Sequence, residues 1–357
     1  MSFCIEKTYG YIPNEMTPLE TANFRGQIAP WDENDRPPIS DYSDFRESVK
    51  AREAETRTLN EKYCFWPHVI ADRLAVPMWE SNQGNLGSCT SFGVKNAAHC
   101  KMMLQLAKNA EMRFDEYNPF QTFALSKDGS TRGGQSLTAI ANAYNSHGAF
   151  SVADVGKYDA NMSGRSVFNL KNEVVENAKN RQIGFSEIDR SNYDVVEELF
   201  FLSKNHVPCI IGNYNLIGKS KLDKNGVRIG VITGNGAHCT ATGGAYRRKN
   251  DKEYILYCQS WGNTFSGGDD ALLPGFMTWL DRHTLSRFLN SSFLDIFAIT
   301  YVEGFYEKRK FEIPVIEYPG GMGYDSLKEG SKKVFLCRIG RRVVCVGFNA
   351  DLYGPFI

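Results

Sequence analysis

Three short stretches of the 357-residue chain hold the residue types that nucleophilic catalysis needs. The first is Asn82-Gln83-Gly84-Asn85-Leu86-Gly87-Ser88-Cys89, a Gly-rich loop ending on a cysteine where a helical pattern begins. A nucleophilic thiol requires a lowered pKa, a base within hydrogen-bond reach and donors for the developing oxyanion. A helix N-terminus supplies the first, because its exposed N–H groups and macrodipole favour a thiolate. Gln83, six residues upstream, can return its side-chain amide beside the Cys89 backbone N–H as a second oxyanion donor. The second stretch, Gly236-Ala237-His238-Cys239, stands at the mouth of a predicted strand and makes His238 the candidate base. The third, Tyr257-Cys258-Gln259-Ser260-Trp261-Gly262, offers Gln259 to fix the imidazole tautomer, with Trp261 as an apolar lid. Taken singly, each signal is weak. A cysteine opening a helix is more often a core thiol than a nucleophile, and a lone histidine beside a strand is more often structural.

The elements that must position these residues change character along the chain. Cys89, Phe92, Ala97, Cys100, Met103 and Leu104 recur at steps of three to five, mostly on one face, and predict a helix. Further helices are expected at 135–147, 193–205 and 284–291. Short apolar runs bounded by Gly and Asn predict strands at Val207–Tyr214, His238–Tyr246 and Glu253–Gln259. Helices first and strands second point to an α+β fold with two lobes. Residues 1–42 show no periodicity and read as an extended arm. Ser43–Lys62 reads as a charged, solvated surface helix with a thin stripe of Phe45, Val49, Thr56 and Leu59. The organisation expected is an arm with its charged helix over 1–75, the main domain over 76–305, and a small β-rich extension over 306–357.

Composition removes whole classes of function. Lys plus Arg and Asp plus Glu are both 41, so a nucleic-acid partner is not expected. No apolar run approaches the ~18 residues of a membrane span. The start, Met1-Ser2-Phe3-Cys4-Ile5-Glu6-Lys7, lacks the pattern of a secretory signal, and a cytoplasmic protein is expected. The nine cysteines include no C-x-x-C pair, which fits neither a zinc site nor a disulfide scaffold, and no metal or cofactor is expected. Cys239 and Cys258 both lie near the candidate base, where two buried thiols are expected ahead of an oxidised pair.

Together the blocks carry a resemblance. Gln83-Gly84 through Gly87-Ser88-Cys89 to Phe92, then Gly236-Ala237-His238 through Gly243-Gly244-Ala245-Tyr246, then Ser260-Trp261-Gly262 and Phe276, resemble in order the signature blocks of the papain-like cysteine peptidases. Leu-Gly-Ser-Cys-Thr at 86–90, with no cysteine before the candidate nucleophile, and Tyr9-Gly10-Tyr11-Ile12-Pro13-Asn14 are similar to the bacterial and viral branch. The resemblance covers about residues 8–305. It implies a papain-like two-lobed fold, with the nucleophile helix in the left lobe and antiparallel strands in the right. It also implies a thiol peptidase working through an acyl-enzyme, with Cys89 as nucleophile, His238 as base and Gln83 as oxyanion donor. Gly133 and Gly134 would pair with substrate backbone, and Trp261 would line the cleft. The sequence departs from the family at Gln259, where an Asn is usual, at Thr90, where a Trp is usual, and at Ala237. Residues 1–75 carry no helical signature of an inhibitory pro-region. The expected partner is a peptide or protein substrate. Two other readings stay open. One is a structural or adaptor subunit of a large assembly such as a phage virion, held through the arm and the extension, with weak or lost activity. The other is a Cys–His acyl transferase.

Overall fold

The computed structural model describes residues 41–51, 53, 66–108, 114–266 and 273–303, together with strands inside 333–356. The predicted arm over 1–40 lies outside the described residues. In chain order the structure has α1 (Tyr42–Lys50), α2 (Pro67–Arg73) and the long α3 (Cys89–Lys108). Next come β1 (Tyr117–Asn118), α4 (Pro119–Leu125), α5 (Leu137–His147), β2 (Phe150–Ser151), α6 (Val152–Val155) and α7 (Asn172–Lys179). Then follow β3 (Ile183–Glu187), α8 (Val195–Lys204), β4 (Cys209–Leu222), β5 (Arg228–Lys249), β6 (Lys252–Cys258), β7 (Met277–Asp281), α9 (Arg282–Leu289) and β8 (Leu294–Val302).

The result is the expected mix of a helical half and an antiparallel half. One six-stranded sheet runs β3-β8-β4-β5-β6-β7, every neighbour antiparallel, with one parallel bridge between β5 and β7 at Ile229 and Trp279. Strands β9 (Lys333–Ile339), β10 (Arg342–Asn349) and β11 (Leu352–Phe356) form a separate antiparallel sheet within the predicted extension.

Helix starts follow local chemistry. Asn118 accepts from the Phe120 N–H ahead of Pro119, Ser136 accepts from Ala139, and Asp281 accepts from Thr284. The long α3 departs from the one-sided pattern expected of it. It is buried all round, polar residues included, because helices cover one side and the sheet the other. Its buried Lys95 is accommodated by Glu116 at 2.9 Å and the Glu80 carbonyl at 3.1 Å. Contact with the sheet is close at Gly93: a Cβ there would stand 2.7 Å from Cys239 Sγ and 3.3 Å from the Thr240 carbonyl oxygen. Only a residue without a side chain lets the helix approach β5 this closely.

Helix α1 ends at Lys50, Glu53 is again helical, and the rest of the stretch read as one helix lies outside the described residues. The polar face of α1 is exposed, as expected of a surface helix, but its thin apolar stripe is docked on the domain. Tyr42 and Val49 are buried in the second core cluster, beside Leu199, Phe200 and Ile188. The Tyr42 hydroxyl donates to buried Glu198 at 2.5 Å, and Arg46 Nε donates to the same carboxylate at 2.7 Å. The Arg46 guanidinium lies 4.9 Å from the centre of the Phe201 ring. Deleting residues 1–60 strips Glu198 of both partners and is expected to cost about 3–5 kcal/mol of stability without raising activity. Denaturant melts and casein assays check this. An unchanged midpoint, or a markedly more active truncated chain, contradicts it.

Candidate active site

Cys89 opens α3 and is fully buried, with its sulfur turned to β5, where the Cys239 backbone N–H donates to it at 3.4 Å. Cys239 directly follows His238, so the strand brings the candidate base to within one residue of the group that touches the sulfur. The first and second sequence blocks therefore meet across the lobes.

The third block closes on the first through a short antiparallel bridge between Asn82 and Trp261. The Gln83 N–H donates to the Ser260 carbonyl at 2.8 Å, and the Gly262 N–H donates to the Ser81 carbonyl at 2.8 Å. Side chains reinforce the bridge. The Ser81 hydroxyl donates to the Gln259 carbonyl at 2.6 Å, and the Ser260 hydroxyl donates to Gln83 Oε1 at 2.5 Å. From α3, Asn96 Nδ2 donates to the Ser81 hydroxyl at 2.8 Å and to the Gln259 carbonyl at 3.3 Å. Trp79 Nε1 in turn donates to Asn96 Oδ1 at 2.9 Å. Asn96 and Ser81 thus hold both walls of the site, a role the sequence did not announce, because a polar residue inside a helix carries no signal of its partner.

Gln83, the candidate oxyanion donor, lies on the loop ahead of Cys89, with its Nε2 donating to the Leu86 carbonyl at 2.9 Å. His238 is buried, and its imidazole stacks on the Trp261 indole at 4.3 Å between ring centres and 22° between planes. Trp261 is therefore the aromatic neighbour of the candidate base itself. The expected hydrogen bond from the His238 ring to the Gln259 amide oxygen is not formed. That oxygen is buried with no hydrogen-bond partner, while the amide nitrogen donates to the Gly262 carbonyl at 3.4 Å and to the Thr264 hydroxyl. Gln carries one methylene more than the usual Asn, and here the longer side chain turns into its own following loop.

Gly133 and Gly134 precede α5. Gly133 takes a positive φ of 67° and is exposed, and its carbonyl accepts from Lys127 Nζ at 3.0 Å. Their link to the nucleophile helix runs through α5, where the Tyr144 and Ser91 hydroxyls lie 2.9 Å apart. Cys239 and Cys258 are both free buried thiols, and the Cys258 thiol is paired by a hydrogen bond with Cys100. Among the described residues no group of His, Cys, Asp and Glu could hold a metal ion, and no helix is long and apolar enough to cross a membrane. A groove of about 420 Å³ near Asp223, Lys252 and Arg287 shares no residue with this site.

The electrostatics correct the expected thiolate. Burial pushes the Cys89 thiol well above its ordinary range, and the N–H groups of Cys239, Thr90 and Cys89 itself offset this only in part. Burial thus favours a neutral Cys89 thiol at rest. Alkylation follows the thiolate fraction, which grows tenfold per pH unit below the pKa, so iodoacetamide should label Cys89 about tenfold faster for each unit from pH 6 to 9. A rate that is flat over this range would show a thiolate already formed at rest.

With that geometry in hand, the chain can be set beside known proteins. No protein-family model matches it, and no curated protein sequence does. Among solved structures it is similar to xylellain, a cysteine protease from Xylella fastidiosa, at 14% identity and a TM-score of 0.48, covering 84% of this chain and 98% of that one. It is also similar to a procathepsin B from Trypanosoma congolense, at 10% identity and a TM-score of 0.39, covering 75% and 80% of the two chains. A cysteine protease of Carica candamarcensis matches at 14% identity and a TM-score of 0.39, over 64% of this chain and 95% of its own. Likenesses this distant carry nothing about activity or substrate.

Proposed function

We propose that this protein is a papain-like thiol peptidase, with Cys89 as nucleophile and His238 as base. The observation that carries the reading is the meeting of the two: Cys89 at the start of α3, its sulfur 3.4 Å from the N–H of the residue following His238. Because the thiol is neutral at rest, His238 takes its proton as the sulfur adds to the substrate carbonyl carbon. The oxyanion formed is received by the Cys89 N–H and the Gln83 amide. Collapse of the tetrahedral adduct expels the amine, which takes the proton from His238. Water then cleaves the thioester, returning the acid and the free thiol. Gly133 and Gly134 are proposed to pair with substrate backbone, and the bacterial and viral branch is the proposed affiliation.

A second reading has its own support. The Gln259 amide oxygen does not reach the imidazole, which favours a papain-fold subunit of a larger assembly with weak or lost activity. Epoxide labelling of the intact protein, followed by peptide mapping and a casein digest, separates the two. Stoichiometric modification of Cys89 that blocks casein cleavage supports the peptidase. A folded protein whose Cys89 stays unmodified and which leaves casein intact supports the assembly subunit. Products carrying an added primary amine in place of water would indicate acyl transfer.

A further inference from the structure

Between the proposed oxyanion donor and the proposed nucleophile lies a loop with glycines at 84 and 87 and no covalent closure. Gly84 takes a positive φ of 57°, a conformation that glycine adopts at no steric cost and from which it also departs readily. Oxyanion donors act only when held to about half an ångström. Something outside the loop must therefore hold its two ends at a fixed separation.

One side chain touches both ends. The Tyr158 hydroxyl donates to the Gln83 carbonyl at 2.8 Å and lies 3.2 Å from the Ser88 hydroxyl. A phenol has one proton, and a carbonyl can only accept, so Ser88 must donate to the phenol oxygen in turn. The Tyr158 ring stands edge-on to Phe92, one helical turn past Cys89, at 4.8 Å, and packs in a small apolar cluster with Leu86, Phe120 and Met162. Tyr158 itself is placed from the left lobe: Asn118 Nδ2 donates to the Gly156 carbonyl at 2.9 Å, and Ala160 bears on Gly84, where a Cβ would come within 3.1 Å.

We infer that Tyr158 is a positioning residue that sets the oxyanion hole, clamping the Gln83–Ser88 loop so that the Gln83 amide and the Cys89 N–H face one point. The inference rests on the peptidase reading above. Tyr158→Phe keeps the ring in its cluster and removes only the clamp. With quenched fluorescent casein, kcat should fall about tenfold while KM stays within about twofold. A peptide aldehyde forms a tetrahedral adduct that needs the same donors, so its inhibition constant should rise by the same factor. Alkylation of Cys89 by iodoacetamide develops no oxyanion and should stay within about twofold of wild type. Ser88→Ala, which removes one of the two bonds, should show the same split with a smaller loss, and it carries the test if Tyr158→Phe does not fold. Equal losses in alkylation and aldehyde binding would reduce Tyr158 to general packing and overturn the proposal, as would an unchanged kcat in an active enzyme. A folded wild type that neither cleaves casein nor binds the aldehyde would overturn the peptidase reading itself, and this proposal with it.

Discussion

Cys89→Ala is expected to abolish casein hydrolysis, with a loss of at least about 10³-fold and the fold retained. Covalent catalysis has no substitute once the attacking atom is gone, and activated nucleophiles account for losses of that order when removed. The substitution removes one buried sulfur from a site packed on every side, so a small stability cost is expected beside the large loss of rate. Cys89→Ser is the sharper companion. It keeps the volume and the contact with the Cys239 N–H, yet a hydroxyl gives up its proton far less readily than a thiol. Its activity should also be near zero. Peptidase activity surviving in purified Cys89→Ala, at a rate unlike a contaminant's, would place the nucleophile elsewhere. The other described thiols, Cys100, Cys209, Cys239 and Cys258, are as fully buried as Cys89, so what sets Cys89 apart is its place at the start of α3 after the Gly-rich loop.

The pairing of Cys89 with the His238 strand was legible because both signals are local: a Gly-rich loop before a helix, and a histidine opening a buried apolar run. His238 nevertheless stands in the middle of β5 and not at the strand mouth expected for it, the strand having begun at Arg228. The helices at 137–147 and 195–204 were legible for the same reason, since Ser136 and Asp194 cap them and their apolar residues repeat. Strands β3, β7 and β8 were not read. Ile183-Gly184-Phe185-Ser186 and Met277-Thr278-Trp279-Leu280 are buried on both faces, so they show none of the polar alternation that marks a half-buried strand. Strand β4 was read only as far as Tyr214, because Asn215 interrupts the apolar run there and, past the buried Leu216 and Ile217, the hairpin turns polar and exposed toward Leu222.

Within the site, the sequence carried residue types but not directions. Gln259 and Asn differ by one methylene, and no local rule tells which way an amide turns inside a buried loop. Tyr158 sits in an irregular stretch after Gly156, where there is no periodicity to mark it as more than a surface aromatic. The Cys89 pKa could not be read either. The helix N-terminus favours a thiolate, but complete burial opposes it, and burial belongs to the packed lobes and not to the loop sequence.

Removing the indole beside the proposed base should cost far more than removing the amide that the resemblance assigns to it. The His238 ring has the Trp261 indole against its face at 4.3 Å, whereas Gln259 gives its amide nitrogen to Gly262 and Thr264 and leaves its oxygen off the imidazole. Trp261→Ala opens a space on one face of the ring. A base displaced by about 1 Å can lose about 10²-fold in rate, and a loss of that size in kcat is expected, with a smaller change in KM. Trp261→Phe keeps an aromatic face against the imidazole and should recover most of the activity. Gln259→Ala leaves the stack in place, so its loss should stay under about threefold, the scale of a weak hydrogen bond to a neighbouring loop. The reverse ranking, with Gln259→Ala losing more than about tenfold and Trp261→Ala close to wild type, would return the orienting role to the amide. It would mean that Gln259 swings onto His238 when substrate is bound.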